Sequence, residues 1–289
     1  MRHITPARDP RAYVVIDLES AILDDAGHKR YLAMERWRPG RGGAPGERSK
    51  SDAAMHPRWV FQTIVTASAM VLVEHEDGNL DVTSFVTLSA PDHDEREVVS
   101  GLLKVLGDAP EGAHLASWSA AMHDIPLLLC AAMKHGLTLP QGWGWMSFGG
   151  DGRHNHVDLA RVLTGGFKIK PVHMAEYAAA CGIPAKMSVA PFLATKLINQ
   201  GAWDLVQEAC EGDVITTALL LARWKRLRDR RTEAHVAEDR LLRQIIALRE
   251  GRGYIAELRA RRDASLKVRL ARAANDAERL APWLDRDAA

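Results

Sequence analysis

The chain has 289 residues, with 38 Lys and Arg against 37 Asp and Glu, 47% apolar and 26% charged residues. These proportions suit a globular protein with a sizeable core, and no apolar run approaches the roughly 20 residues that a membrane span needs. The opening Met1-Arg-His-Ile-Thr-Pro has no apolar export segment, and Cys130, Cys181 and Cys210 are far apart and odd in number, so reduced thiols in a cytoplasmic protein are expected, neither a disulfide framework nor a zinc cage.

In chain order, the β-rich apolar run from Ala12 to Glu19 predicts a buried central strand. Residues 36–51, rich in Gly, Pro, Arg and Ser, read as a long flexible basic loop. Residues 63–74 and 80–88 predict two strands joined through Glu76-Asp-Gly-Asn, a hairpin signal. A helix is expected from about Pro91 to Leu106 with acids in its first turn, then a strand over 113–118. A helix over 124–135 follows, with Pro126 in its first turn, where a missing N–H is harmless. A short strand at 155–158, a helix over 171–181 and a long helix over 203–228 complete an α/β domain. From 232 to about 284 the pattern is helical, broken at Gly251-Arg-Gly. The expected division is a domain over 1–228 and a helical, basic C-terminal extension over 229–289.

The chemistry begins at Asp17 and Glu19. Residues i and i+2 of a strand point to one face, so these carboxylates lie side by side at the strand's C-terminal end, where α/β sheets place ligands. One of the two stays protonated unless a cation neutralises them, and an oxygen-seeking divalent ion does so. The alternative is a strand end fraying into solvent. Asp213 sits beside the nearly apolar Val214-Ile-Thr-Thr-Ala-Leu-Leu-Leu-Ala, where an ionised carboxylate is costly unless paired or metal-bound. Gly212 beside it suggests close approach of another backbone or ligand. The alternative for Asp213 is an exposed polar stripe shared with Glu208 and Glu211. Asp124 opens its helix and reads equally as an N-cap.

Taken together, Val14-Val-Ile-Asp-Leu-Glu-Ser, Trp118 to Pro126, His156-Val-Asp-Leu, Gly182-Ile-Pro-Ala-Lys and Cys210-Glu-Gly-Asp-Val-Ile-Thr-Thr resemble, in order and approximate spacing, the motifs of the DEDD 3′→5′ exonuclease superfamily. The branch they resemble is that of exonucleases related to the proofreading domain of family-B DNA polymerases. The resemblance spans residues 10–225. It implies a ribonuclease H-like mixed β-sheet flanked by helices, and hydrolysis at nucleic-acid 3′ ends, single-stranded DNA first. It further implies a two-ion Mg²⁺ or Mn²⁺ site on Asp17, Glu19, Asp124 and Asp213, with Asp17 bridging the ions and Asp124 acting on one through water. Ser20, Trp118, Ser119, His123 and Lys186 are the implied substrate-binding positions. The resemblance is incomplete: where this branch carries a water-orienting Tyr the chain has Ala209, where a sister branch carries His it has Glu208, and Ser119 and His123 replace an Asn and an aromatic residue. Glu208, His123 and Tyr177 are the candidates to stand in. The rival expectation is a weakened or inactive nuclease fold that binds nucleic acid or assembles through its tail.

Other patterns carry less. His154-Asn-His-Val-Asp158 resembles a zinc-hydrolase signature, but Leu159 follows where that signature has His, and Asp158 reads as a structural cap. The Trp143-Gly-Trp-Met-Ser-Phe148 segment suits a core plug better than a base-stacking loop. Lys29, Arg30, Arg36, Arg38, Arg41, Arg48 and Lys50 either guide a phosphate backbone or are simply solvated. Residues 223–289 hold 18 basic and 11 acidic side chains, against 20 and 26 in residues 1–222. The tail's apolar stripe (Leu241, Leu242, Ile245, Ile246, Leu248, Ile255, Leu258) must pack on the domain, on itself or on a second copy.

Overall fold

The computed structural model describes residues 12–34, 56–148, 155–170, 172–188, 194–228 and 234–280. The basic stretch 36–51 lies outside them, apart from its neighbours Lys29 and Arg30.

Strand β1 (Ala12–Ala21) is buried on both faces because its side chains alternate between two cores. Tyr13 and Val15 join one cluster and Val14, Ile16 and Leu18 the other. Helix α1 (Ala26–Met34) follows. Strands β2 (Thr63–Glu74) and β3 (Leu80–Ser89) form the expected hairpin. Helix α2 (Glu95–Asp108) starts four residues later than Pro91, because Asp94 accepts from Glu97 N–H while the Glu97 side chain accepts from Asp94 N–H. This reciprocal capping box fixes the first turn. Strand β4 (His114–Ser117) and helix α3 (Asp124–His135) stand where the pattern puts them, and α3 stops at Gly136, whose φ of 64° is a left-handed cap.

Strand β5 (His156–Asp158) leads directly into α4 (Leu159–Leu163). Helix α5 (Met174–Ala180) is shorter than expected, beginning after His173, whose Nδ1 accepts from Ala175 N–H at 3.2 Å. Helix α6 (Ala194–Gln200) has only a weak sequence signal and buries just Ile198. Helix α7 (Trp203–Arg228), α8 (Ala234–Leu248) and α9 (Ile255–Leu280) complete the chain, with the break between the last two at Gly251-Arg-Gly.

The sheet runs β3-β2-β1-β4-β5; β2 is antiparallel to both neighbours, and β1, β4 and β5 are parallel. This is the mixed, helix-flanked sheet of ribonuclease H-like folds. Helices α2 and α3 cover one face and α7 crosses the other. Trp143 and Met146 are buried in the α2–α3 cluster, so their segment is a core plug.

The tail stripe packs on the α/β body. Leu241, Leu242, Ile245, Ile255 and Leu258 join the same core as α7, while Leu248 is exposed. Arg240 grips Asp81 with two bonds of 2.5 and 2.6 Å, and Gln244 accepts from Val82 N–H at 2.8 Å, so α8 shields the edge strand. Among the described residues no helix is long and apolar enough to cross a membrane.

At the far end of α7, Lys225 is buried against Glu74 at 2.7 Å and the Tyr13 hydroxyl at 2.9 Å. Removing one partner of a buried pair costs about 3–5 kcal/mol. Lys225→Met is therefore expected to lower unfolding free energy by about 3 kcal/mol, read by urea denaturation.

A carboxylate cluster at the end of the central strand

The alternation of β1 turns Asp17 and Glu19 toward α7, with a register shift against β2 directly after Glu19. Cys210, on the inner face of α7, points its thiol at Asp17 O, 3.2 Å away. Asp213 lies three residues further on and shares that face. Carboxylate oxygens of Asp17, Glu19 and Asp213 fall within 4.8 Å of one another. Asp124, the first residue of α3, adds its charge from the side: it raises the pKa of all three.

Burial, and then the mutual repulsion led by Asp213, pushes Asp17 well above the usual carboxylate range and Glu19 to about 7. Asp213 is raised by burial, partly offset by Lys186. The Lys186 ammonium is ion-paired with Asp213 Oδ2, on a backbone held in the left-handed region at φ 54°. Among the described residues, Asp213 Oδ1 is buried with no hydrogen-bond partner. An all-oxygen donor set with an unpartnered buried oxygen fits a hard divalent cation.

The other expected residues divide. His123 Nδ1 lies 3.4 Å from Asp124 Oδ1; that contact raises the imidazole pKa, and His123 in turn lowers that of Glu19, so the ring faces the cluster. Trp118 packs at 5.6 Å from the Tyr177 ring, against the core that holds α7. Ser20 follows Glu19 and donates to Gln62 Oε1 at 3.0 Å. Glu208 is placed elsewhere: Gly253 N–H donates to its Oε1 at 2.6 Å in the turn between α8 and α9, and a Cβ at Gly253 would meet Glu208 Oε2 at 2.9 Å. Five residues before Asp213, Glu208 sits some 140° around the helix, away from the acids. The exposed-stripe alternative also fails, since Glu208, Glu211 and Asp213 are all buried. Glu211 accepts from Thr87 Oγ1, Arg252 and the Tyr254 hydroxyl at 2.7–2.9 Å. Gly212 marks no close approach either: a Cβ there would meet only Met187 Cε, at 3.8 Å.

Two contributors escape the sequence reading. The charge of His173 lowers the Asp213 pKa; its only sequence signal is its place before a short helix. Asp158 does more than cap α4. Its carboxylate accepts from Ser119 N–H at 2.9 Å and from Ala121 and Arg161 N–H at 3.3 Å, holding Ser119 at φ 63° in the turn that delivers Asp124. Asp158→Ala would leave these donors unmatched, and such losses cost about 1–3 kcal/mol. Thermal or urea unfolding is expected to show that loss, and an unchanged midpoint would count against Asp158 as the turn's anchor.

The fold is a ribonuclease H-like mixed sheet with a buried acidic cluster at the end of its central strand. Residues 55–261 match the family described as "predicted 3′-5′ exonuclease related to the exonuclease domain of PolB". The match covers well over half of the chain, and the protein belongs to that family. It reaches beyond residue 228 into α9, further than the motifs suggested, and begins after β1. No curated protein matches the chain. Solved structures similar to it include apo exonuclease I (TM-score 0.43, 9% identity, covering 83% of this chain and 47% of that one). Product-bound exonuclease I (0.42, 9%, 83% and 48%) and E. coli exonuclease I with a dT13 oligonucleotide (0.41, 9%, 75% and 42%) are others. The chain thus spans about half the length of those proteins.

Proposed function

We propose that this protein is a metal-dependent 3′→5′ exonuclease, cytoplasmic, that hydrolyses phosphodiester bonds at the 3′ ends of single-stranded DNA. The observation that carries this reading is the convergence of Asp17, Glu19 and Asp213 from two distant parts of the chain, with Asp124 alongside. Asp17, Glu19 and Asp213 would hold Mg²⁺ or Mn²⁺, and Asp124 would serve a second ion. Bound there, such ions supply a nucleophilic water and offset charge on the attacking and leaving oxygens.

The chain's own groups supply the rest. His123 is the stand-in for the missing tyrosine, because its ring contacts Asp124 and its charge reaches Glu19. Glu208 is held by Gly253, and Tyr177 is packed on Trp118. Lys186 offers a cation to the phosphate, while Ser20, Trp118 and Ser119 flank the terminal nucleotide. The apolar stripe of α8 and α9 is largely covered by the body, so self-association would have to use other tail residues, such as the exposed Leu266, Val268 and Leu270.

The test is release of nucleotides from a 3′-labelled oligonucleotide with Mg²⁺ or Mn²⁺, with EDTA as control. Metal-dependent product supports the reading. Retained binding without product with either ion would overturn it in favour of a binding protein on a nuclease fold.

A further inference from the structure

A second feature lies at the same end of β1. A cleft of about 260 Å³ is lined by Tyr31, Arg58, Val60 and Phe61. Its walls are aromatic: the Tyr31 ring stacks on His28 at 6.1 Å, and Phe61 lies 5.7 Å from His28 and 6.2 Å from Tyr31. Gly27 allows this arrangement, since a Cβ there would meet Phe61 Cδ1 at 2.9 Å. Trp59 and Val60 at the rim are 44% and 42% exposed. Arg58 and Arg30 are exposed and make no ion pair among the described residues.

The cleft lies next to the end of β1 that carries the acids. Ser20, the residue after Glu19, bonds Gln62, and Phe61 is the next residue back. On its other side the Val60 carbonyl meets Cys130 Sγ of α3 at 3.9 Å. Cys130 lies six residues, about 9 Å, along the helix that begins with Asp124. A π-walled slot with cations at its mouth suits a flat, uncharged ring attached to a phosphate chain. Only an unpaired base offers such a free face.

We propose that the Tyr31–Arg58–Val60–Phe61 cleft is a stacking subsite for an unpaired base of the strand whose 3′ end reaches the acids. This rests on the nuclease reading above and extends it to the substrate: the strand must be single at that position, set back from its end.

The test is oligonucleotide binding by fluorescence anisotropy, with every protein carrying Asp17→Asn so that the strand is not consumed. The probes are a deoxythymidine 12-mer and 12-mers with one abasic residue stepped back from the 3′ end. The parent is expected to lose about 5- to 150-fold in affinity when the abasic residue falls at the subsite, and little when it falls elsewhere in the interior. Tyr31→Leu is expected to lose a comparable factor on the intact strand and to become insensitive to the abasic residue at that position. Arg58→Glu, at an exposed position where folding is not at stake, is expected to weaken binding and flatten its salt dependence by about one unit or more of log–log slope. Equal binding of intact and abasic strands by the parent, no binding at all, or a folded Tyr31→Leu that keeps the positional sensitivity would each overturn the proposal. The two readings fail separately. An abasic pattern from a protein that releases no nucleotides keeps the subsite and sinks catalysis, whereas normal release without the pattern sinks the subsite alone.

Discussion

Asp17→Asn is expected to cut metal-dependent nucleotide release by at least about 10²–10³-fold, the usual loss when one preorganised electrostatic group is removed from an active site. Asp17 is the centre of the cluster: its carboxyl feels Asp213, Asp124 and Glu19 together. The same substitution removes a buried negative charge from a repelling group, so in EDTA at pH 8 the variant should be at least as stable as the wild type. Lost release with an undiminished melting temperature separates a chemical role from a structural one. If the variant retains wild-type release, or if it unfolds, the assignment of Asp17 as the central ligand is wrong.

Metal binding and pH should be linked through the same groups. The carboxyls of Asp17, Glu19 and Asp213 all titrate higher in the folded protein than free, Glu19 at about 7 against 4.5. A carboxyl raised on folding binds its proton more tightly in the native state. Its stabilising contribution is therefore complete below its free pKa and fades as pH rises through the folded value. For Glu19 the window runs from 4.5 to about 7, and Asp17 and Asp213 act in the same direction. Without metal, the cluster's contribution to the melting temperature should fall between pH 5 and pH 8. Mg²⁺ or Mn²⁺ at about 100 times its dissociation constant adds about 2.7 kcal/mol, roughly 4–5 °C for a chain of this size. That rise should appear at pH 8 and shrink at pH 5, where protons compete for the oxygens. Differential scanning fluorimetry at the two pH values with and without metal reads it. A metal-independent melting temperature at pH 8, or a larger rise at pH 5, would remove the carboxylates as the binding site.

Much of the architecture is written locally. The two-residue alternation of β1, the hairpin turn at Glu76-Asp-Gly-Asn and the Gly251-Arg-Gly break each specify their element through short-range geometry, and the structure has strands and helices there. Helices α1 and α6 escape such reading because their few apolar residues are spread without a clear face; α1 buries only His28 and α6 only Ile198. The pattern leaves the start of α2 open because Asp92, Asp94 and Glu95 all suit a first turn, and only the Asp94–Glu97 bonds choose between them.

The sequence by itself singled out Asp17, Glu19 and Asp213 as acids that need a partner or a cation, since paired carboxylates repel and an acid beside apolar residues is costly wherever the chain takes it. It determined the family resemblance as well. Only the tertiary structure decided who stands next to whom. It set Asp213 against Asp17 across nearly 200 residues of chain, turned Glu208 to the tail and His123 to the acids, and made Asp158 the anchor of the Ser119 turn. Side chains one helical step apart point in different directions, and which direction meets the sheet depends on how α7 packs, which local patterns do not encode.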